Sequence, residues 1–329
     1  MNILVTGGCG FIGSHIVEFY LSKGHQVHVI DDLSTGRLKN IESFQHLPNF
    51  KFDKADILKW RGLAHAVEKA DVIYHMAAII GMFKVISEPI NVITSNIKGS
   101  ERLLECIVSS HAKPRRVLIA SSSSVYSKSK SKILRENDQL VYNSFQEMDI
   151  LQNYAISKLV DEALGLAYFR ALNIPVTIVR LFNTIGPRQR GRYGMVVPRF
   201  IKQACEGSPI TVFGDGTQTR SFCDVRDVVQ AFDQLVHQER AIGEIINVGF
   251  NREITINYLA KLIHKRAHSS SEIKHVPYEN VYAQPLEPIK QRRPDLTKLF
   301  ELTGFEHAWT LEKTIDDLIL RFKQDKDNH

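Results

Sequence analysis

Tyr154 and Lys158 stand four residues apart in "YAISK", inside a stretch with helical periodicity from roughly Asn153 to Leu172, so both side chains share one helix face. A tyrosine is ordinarily a poor base, because its pKa of about 10 lies some three units above neutrality, roughly 4 kcal/mol. One ammonium about 4 Å away, at an effective dielectric near 20, supplies roughly that much stabilisation of the phenolate. Such a pair can take a proton from a hydroxyl held against it. The run "ASSSSVY" (Ala120–Tyr126) ends an apolar strand and offers four serine hydroxyls for that purpose, or simply a solvated turn.

A second group of residues suits a dinucleotide. "TGGCGFIG" places Gly7, Gly10 and Gly13, with Phe11 and Ile12 in the same turn, between a first strand and a first helix. Glycines permit the tight turn and let backbone approach a pyrophosphate, while the helix amino terminus offers N–H donors and the positive end of its dipole. The second strand ends in Asp31-Asp32. An acid there accepts the adenosine ribose hydroxyls and repels a 2′-phosphate, which favours NAD over NADP, and Asp31 is the chosen acceptor. "ADI" (Ala55–Ile57) flanks the adenine in this reading, with Asp56 as an acceptor beside Ile57.

These residues need a scaffold, and the first half of the chain supplies one. "NILVTG", "QVHVIDD", "ADVIYHMAA", "RRVLIASSS" and "IPVTIVRLFN" are nearly continuous apolar runs separated by amphipathic stretches, one of them from about Asn91 to Ser110. Apolar strands alternating with helices predict an α/β fold, a parallel sheet buried on both faces. After Asn183 the rhythm breaks into the loop "GPRQRGRYG". Helices near Pro198–Glu206 and Asp227–His237, a strand at "PITVFG", a possible return to the sheet at "GEIINVG" and a helix at "TINYLAKLIHKRA" come after it. A smaller mixed domain interleaved with the sheet is expected.

Composition excludes several classes. The 329 residues are 43% hydrophobic and carry 42 basic against 36 acidic side chains, a net charge of +6 spread along the chain, so a nucleic-acid partner is not expected. Cys9, Cys106, Cys205 and Cys223 show neither metal-ligand nor disulfide spacing, so no metal is expected and a reduced compartment is. No apolar run approaches a bilayer span, and Met1 leads directly into a strand, so the expected location is cytoplasmic, without membrane attachment. "SKSKSK" (127–132) reads as a solvated loop, or as a basic tract able to cover a pocket and contact an acidic ligand.

Together, "VTGGCGFIGSH", "HMAA", "ASSSSVY", "YAISK", "RLFNTIGPRQ", "FGDGTQTRSFCDVRDVV" and "QRRPDLTKLFELTGFE" resemble the extended short-chain dehydrogenase/reductase family of nucleotide-sugar epimerases and dehydratases, over nearly the whole chain. The closest likeness is to UDP-sugar 4-epimerases and UDP-glucuronate decarboxylases. The resemblance implies a Rossmann domain over residues 1–183, with a return segment near 221–250, and an interleaved sugar-nucleotide domain over 184–329. It implies catalysis by Ser122, Tyr154 and Lys158, with Ser123 as helper and Ser121 and Ser124 as turn residues. Ala77, Ala78 and Asn96 would lie along NAD, with Tyr154 and Lys158 touching it too. Asn183, Arg220 and Arg292 would hold the diphosphate of a UDP-sugar, Arg293 being the close competitor of Arg292; paired guanidinium forks suit phosphate oxygens. A homodimer through the two long helices is implied as well.

Family enzymes begin by oxidising the sugar's 4-hydroxyl, and the fate of the 4-keto sugar depends on further groups. Relatives that eliminate water resemble one another in an Asp-Glu pair before the "VY" tyrosine, and UDP-glucuronate decarboxylases carry a glutamate two residues before it. Here Ser123 and Ser124 occupy those places, and Ser127 stands where relatives have glycine. A serine hydroxyl does no carboxylate work near neutrality. The expectation is therefore a UDP-sugar 4-epimerase acting through a transient 4-keto sugar; the alternatives are a UDP-glucuronate decarboxylase and a non-catalytic NAD-binding regulator.

Overall fold

The computed structural model describes residues 1–144, 149–191, 195–281 and 290–327. The elements of the first half are β1 (Asn2–Thr6), α1 (Phe11–Ser22), β2 (Gln26–Asp31), β3 (Phe50–Lys54), α2 (Leu63–Glu68), β4 (Val72–His75), α3 (Met82–Ser87), α4 (Pro89–Ser109), β5 (Arg116–Ser122), α5 (Gln152–Leu172) and β6 (Val176–Leu181). The second half adds β7 (Thr184–Ile185), α6 (Val196–Glu206), β8 (Ile210–Phe213), β9 (Thr219–Ser221), β10 (Cys223–Asp224), α7 (Val225–His237) and β11 (Ile245–Val248). After these come β12 (Glu253–Thr255), α8 (Ile256–Ala267), β13 (Ile273–Val276), α9 (Thr297–Thr303) and α10 (Leu311–Asp327).

Seven parallel strands form the main sheet in the order β11-β6-β5-β4-β1-β2-β3. Their near-continuous apolar sequence reflects double-sided burial. In β1, Ile3 and Val5 pack into the core under α1 and α7, whereas Leu4 packs into the opposite core under α2 and α4. Val179 against Val176 and Ile178 in β6 divide in the same way. A third core lies under α6, α8 and α10, where Phe200, Ile210, Leu259 and Ile315 meet. Chain order reverses between β1 and β4, and the carboxyl ends of these two strands open the crevice where such sheets take ligands.

"GEIINVG" does return to the sheet, as β11 beside β6. The expected loop over 186–194 is irregular backbone to Arg190, while Arg192, Tyr193 and Gly194 lie outside the described residues. None of the four cysteines is in a disulfide. Among the described residues no helix is long and apolar enough to cross a membrane.

Candidate active site

At the β1–α1 turn, Gly7 has φ +72°, and a Cβ there would stand 2.7 Å from the Ala77 amide nitrogen. The glycine turn and the end of β4 can therefore approach only because Gly7 lacks a side chain. Gly13 is equally constrained, since its Cβ would meet the Gly7 carbonyl oxygen at 2.2 Å. The Gly10 N–H closes the turn onto that oxygen at 3.0 Å. Asp31, at the end of β2, is buried and accepts N–H bonds from Cys9 at 2.9 Å and Leu33 at 2.8 Å; burial raises its pKa. Asp32 is exposed and caps Ser34. The Asp56 carboxylate accepts from Leu58 N–H, which fixes its turn.

The start of α5 is held by a reciprocal pair. The Asp149 side chain accepts from Leu151 N–H at 2.6 Å, while the Gln152 side chain accepts from Asp149 N–H at 3.1 Å. Gln152 also donates to the Ser127 hydroxyl at 2.8 Å, tying α5 to the turn after β5. Ser127 has φ +43°, a region glycine enters readily and other residues seldom do.

Ser121 corrects one expectation. It is no turn residue but part of β5, and donates to Glu162 at 2.5 Å; Glu162 in turn receives two bonds from Arg180, at 2.9 and 2.8 Å. This buried network locks β5, β6 and α5 together behind the cleft. Ser122 ends β5, Ser123 and Ser124 form the turn beyond it, and Ser122 donates to the Ser124 hydroxyl at 3.1 Å.

At Tyr154 opposing effects meet. Lys158, Arg292 and a hydrogen bond with Ser122 all pull its pKa down, yet burial outweighs them and the phenol sits above its ordinary value. Asp161 adds to the effect of burial in the same direction: Lys158 Nζ donates to Asp161 Oδ2 at 3.0 Å, and both side chains are buried. Asn96 is buried and spends its amide on Ile79, at 2.7 and 3.2 Å, and on Ser157, at 3.1 Å, so it braces the β4 end against α5.

A single cleft of about 840 Å³, within the usual range for a ligand site (about 300–1,000 Å³), joins these groups. Gly7, Gly10, Phe11, Ile12 and Gly13 line one end with Asp31, Asp56 and Ile57. Ala77, Ala78 and Asn96 lead to Ser122, Ser123, Tyr154 and Lys158, and Asn183, Arg220 and Arg292 line the far side. Asn183 donates to the Ser221 carbonyl at 3.2 Å, and Arg220 to that of Thr219 at 2.7 Å. Burial lowers the pKa of both arginines, and the Arg220 charge lowers that of Arg292 further. Arg293 does not line the cleft; its backbone carbonyl accepts from Leu134. Lys128, from "SKSKSK", also lines the cleft, as do Arg188, Arg190 and Arg199, which are not among the expected site residues although the density of arginine in "PRQRGR" is a visible signal for the first two.

The donor set fits a dinucleotide. A glycine cradle that a Cβ would fill lies at a helix amino terminus, and an acid stands at the end of β2. Comparison with known proteins agrees. The NAD dependent epimerase/dehydratase family matches residues 3–249. A UDP-N-acetyl-alpha-D-glucosaminuronate decarboxylase from Bacillus cytotoxicus is 38% identical over 322 residues, 98% of this chain and 97% of that protein. UDP-glucuronic acid decarboxylase 4 of Arabidopsis thaliana is 31% identical over 324 residues, 98% of this chain and 69% of that one. The crystal structure of UDP-glucuronic acid 4-epimerase from Bacillus cereus, in complex with UDP-glucuronic acid and NAD, superposes with a TM-score of 0.87 at 32% identity, covering 98% of this chain and 99% of that one. With fold, cleft and chain-long likeness in agreement, this chain belongs to the NAD-dependent epimerase/dehydratase family of extended short-chain dehydrogenases/reductases, and its cofactor is NAD.

Proposed function

We propose that this chain oxidises the 4-hydroxyl of a UDP-linked uronic acid and re-reduces the 4-keto sugar on its opposite face, a 4-epimerisation. The observation that carries this reading is the serine turn beside Tyr154, with Ser123 and Ser124 in the two places before Val125-Tyr126. Ser122, Ser123 and Ser124 line that part of the cleft, where elimination of water would require a carboxylate pair. The uronate is supported by the names of the three relatives given above, each of which specifies a UDP-linked sugar acid, and by Lys128 and Arg190, which line the cleft in addition to Arg220 and Arg292.

In this account Ser122 orients the sugar hydroxyl, Tyr154 takes its proton and later returns it, and Lys158 holds the phenol's charge and the cofactor ribose. Arg220, Arg292 and Asn183 grip the diphosphate, with Ser123 lining the sugar pocket. Gly7, Gly10 and Gly13 with Phe11 and Ile12 receive the cofactor pyrophosphate. Asp31, Asp56 and Ile57 hold its adenosine, and Ala77, Ala78 and Asn96 form the wall beneath it. Bound NAD supplies the acceptor for the C4 hydride. A homodimer through the outer faces of α4 and α5 belongs to the same proposal.

A second reading, decarboxylation of the UDP-uronate, is favoured by the 38% identical relative. A carboxylate beta to a 4-ketone is lost readily, so serine in place of the decarboxylases' glutamate disfavours this route without closing it. Incubation with UDP-glucuronate and with UDP-N-acetylglucosaminuronate, with products read by mass and proton NMR, tests both. An isomer of unchanged mass is expected; loss of carbon dioxide establishes the second reading, and no turnover of either sugar contradicts both.

A further inference from the structure

Asp161 lies three residues beyond Lys158 on α5, and its side chain is fully buried. Oδ2 accepts from Lys158 at 3.0 Å; among the described residues the buried Oδ1 has no hydrogen-bond partner. A buried carboxylate with one unsatisfied oxygen is destabilising by itself. Nor is Asp161 needed for the neighbouring guanidinium, since Glu162 already binds Arg180. Its ion-pair partner is Lys158.

The titratable and charged groups around this pair come from four elements. Tyr154 and Glu162 share α5, Arg292 approaches from the segment before α9, and His75 faces Lys158 from β4. Arg180 of β6 is occupied by Glu162. His75 is neutral near pH 7, its pKa pushed down to about 3 by burial and by Lys158. The charges acting on the phenol are therefore Lys158 and Arg292 against Asp161, and Asp161 raises the proton affinity of Tyr154 and Lys158 alike.

We propose that Asp161 is a positioning residue: it holds the Lys158 ammonium against α5 and offsets its charge, so that Tyr154 releases its proton when the oxidised nicotinamide adds a positive charge and keeps it once that charge is gone. The ordering suits a reaction that oxidises and then reduces. As C4–H breaks and its electron pair passes to NAD, the phenolate accepts the 4-hydroxyl proton. When the pair returns to C4, Tyr154 gives the proton back. This use of the device rests on the C4-oxidation reading; the charge offset itself does not.

The test is ultraviolet titration of the Tyr154 phenolate in NAD-loaded protein, with Tyr154→Phe as the blank. Asp161→Asn should titrate at least half a pH unit lower than the unaltered chain, about a threefold gain in phenolate/phenol ratio at fixed pH. Asp161→Glu, which keeps the charge, should titrate near the unaltered value. Should the amide variant fail to fold, Asp161→Ser carries the same expectation. An unchanged or higher midpoint in the uncharged variant overturns the proposal, as does an equal drop in Asp161→Glu. Because no turnover is needed, a lowered midpoint in a protein inactive on every UDP-uronate would count against the functional reading alone.

Discussion

Tyr154 is where the opposing effects are closest to balance. Desolvation raises its pKa, while Lys158, Ser122 and Arg292 lower it. With the phenol held above its ordinary value, the active phenolate gains population as pH rises, so turnover should climb with pH on its acidic limb. Replacing Tyr154 by Phe removes the proposed proton acceptor and should lower kcat by about 100–10,000-fold, the usual range for one general base, while NAD content after purification stays unchanged. Steady-state rates and cofactor assay check both halves. Tyr154 and Lys158 were legible in the sequence because i and i+4 share a helix face. Asp161 was not: an acid three residues after a lysine reads as an ordinary exposed helix pair, and only burial of both side chains distinguishes it.

Among the elements, the β1–α1 junction is the least tolerant. Alanine at Gly13 would gain up to about 1 kcal/mol of helix propensity, but its Cβ would stand 2.2 Å from the Gly7 carbonyl oxygen, a backbone atom with little freedom to move. Overpacking of this kind costs about 1–3 kcal/mol, so the clash wins. Gly13→Ala should lower the denaturation midpoint and the retained NAD together; unchanged values of both would show that the turn relaxes freely. The long helices were readable from periodicity, though α4 begins at Pro89 rather than near Asn91, with proline in the first helical turn where its missing N–H is harmless. The short strands β7, β9, β10 and β12, of two or three residues each, are too brief for any alternation to appear. The pair Asp149 and Gln152 has the spacing of a capping box, a sequence cue for the start of α5.

At the scale of the whole molecule, the sheet's reversal at β1 and β4 brings the glycine turn, the serine turn and α5 to one crevice, while α6, α8 and α10 build a separate core beside it. Strand and helix order announced the sheet; the packing of the short strands depends on long-range contacts that local sequence does not encode. The fold also buries His75 and His15 as neutral rings, their pKa values lowered to about 3 and about 4, chiefly by burial. Unfolded histidine, with a pKa of about 6.5, binds a proton that the native state refuses, so stability falls as pH drops below that value. Between about pH 7.5 and 5.5 each ring should cost about 1.4 kcal/mol, and His75→Gln should remove roughly half of that combined loss in urea titrations. An equal pH slope in the variant would show that His75 is not the source. The central claim, that a proton leaves for Tyr154 while a hydride departs from and returns to the same sugar carbon, is tested most directly with UDP-glucuronate deuterated at C4. The account predicts a product, isomer or pentose, that keeps the deuterium at C4; loss of the label to solvent, or product formation without NAD, would contradict it.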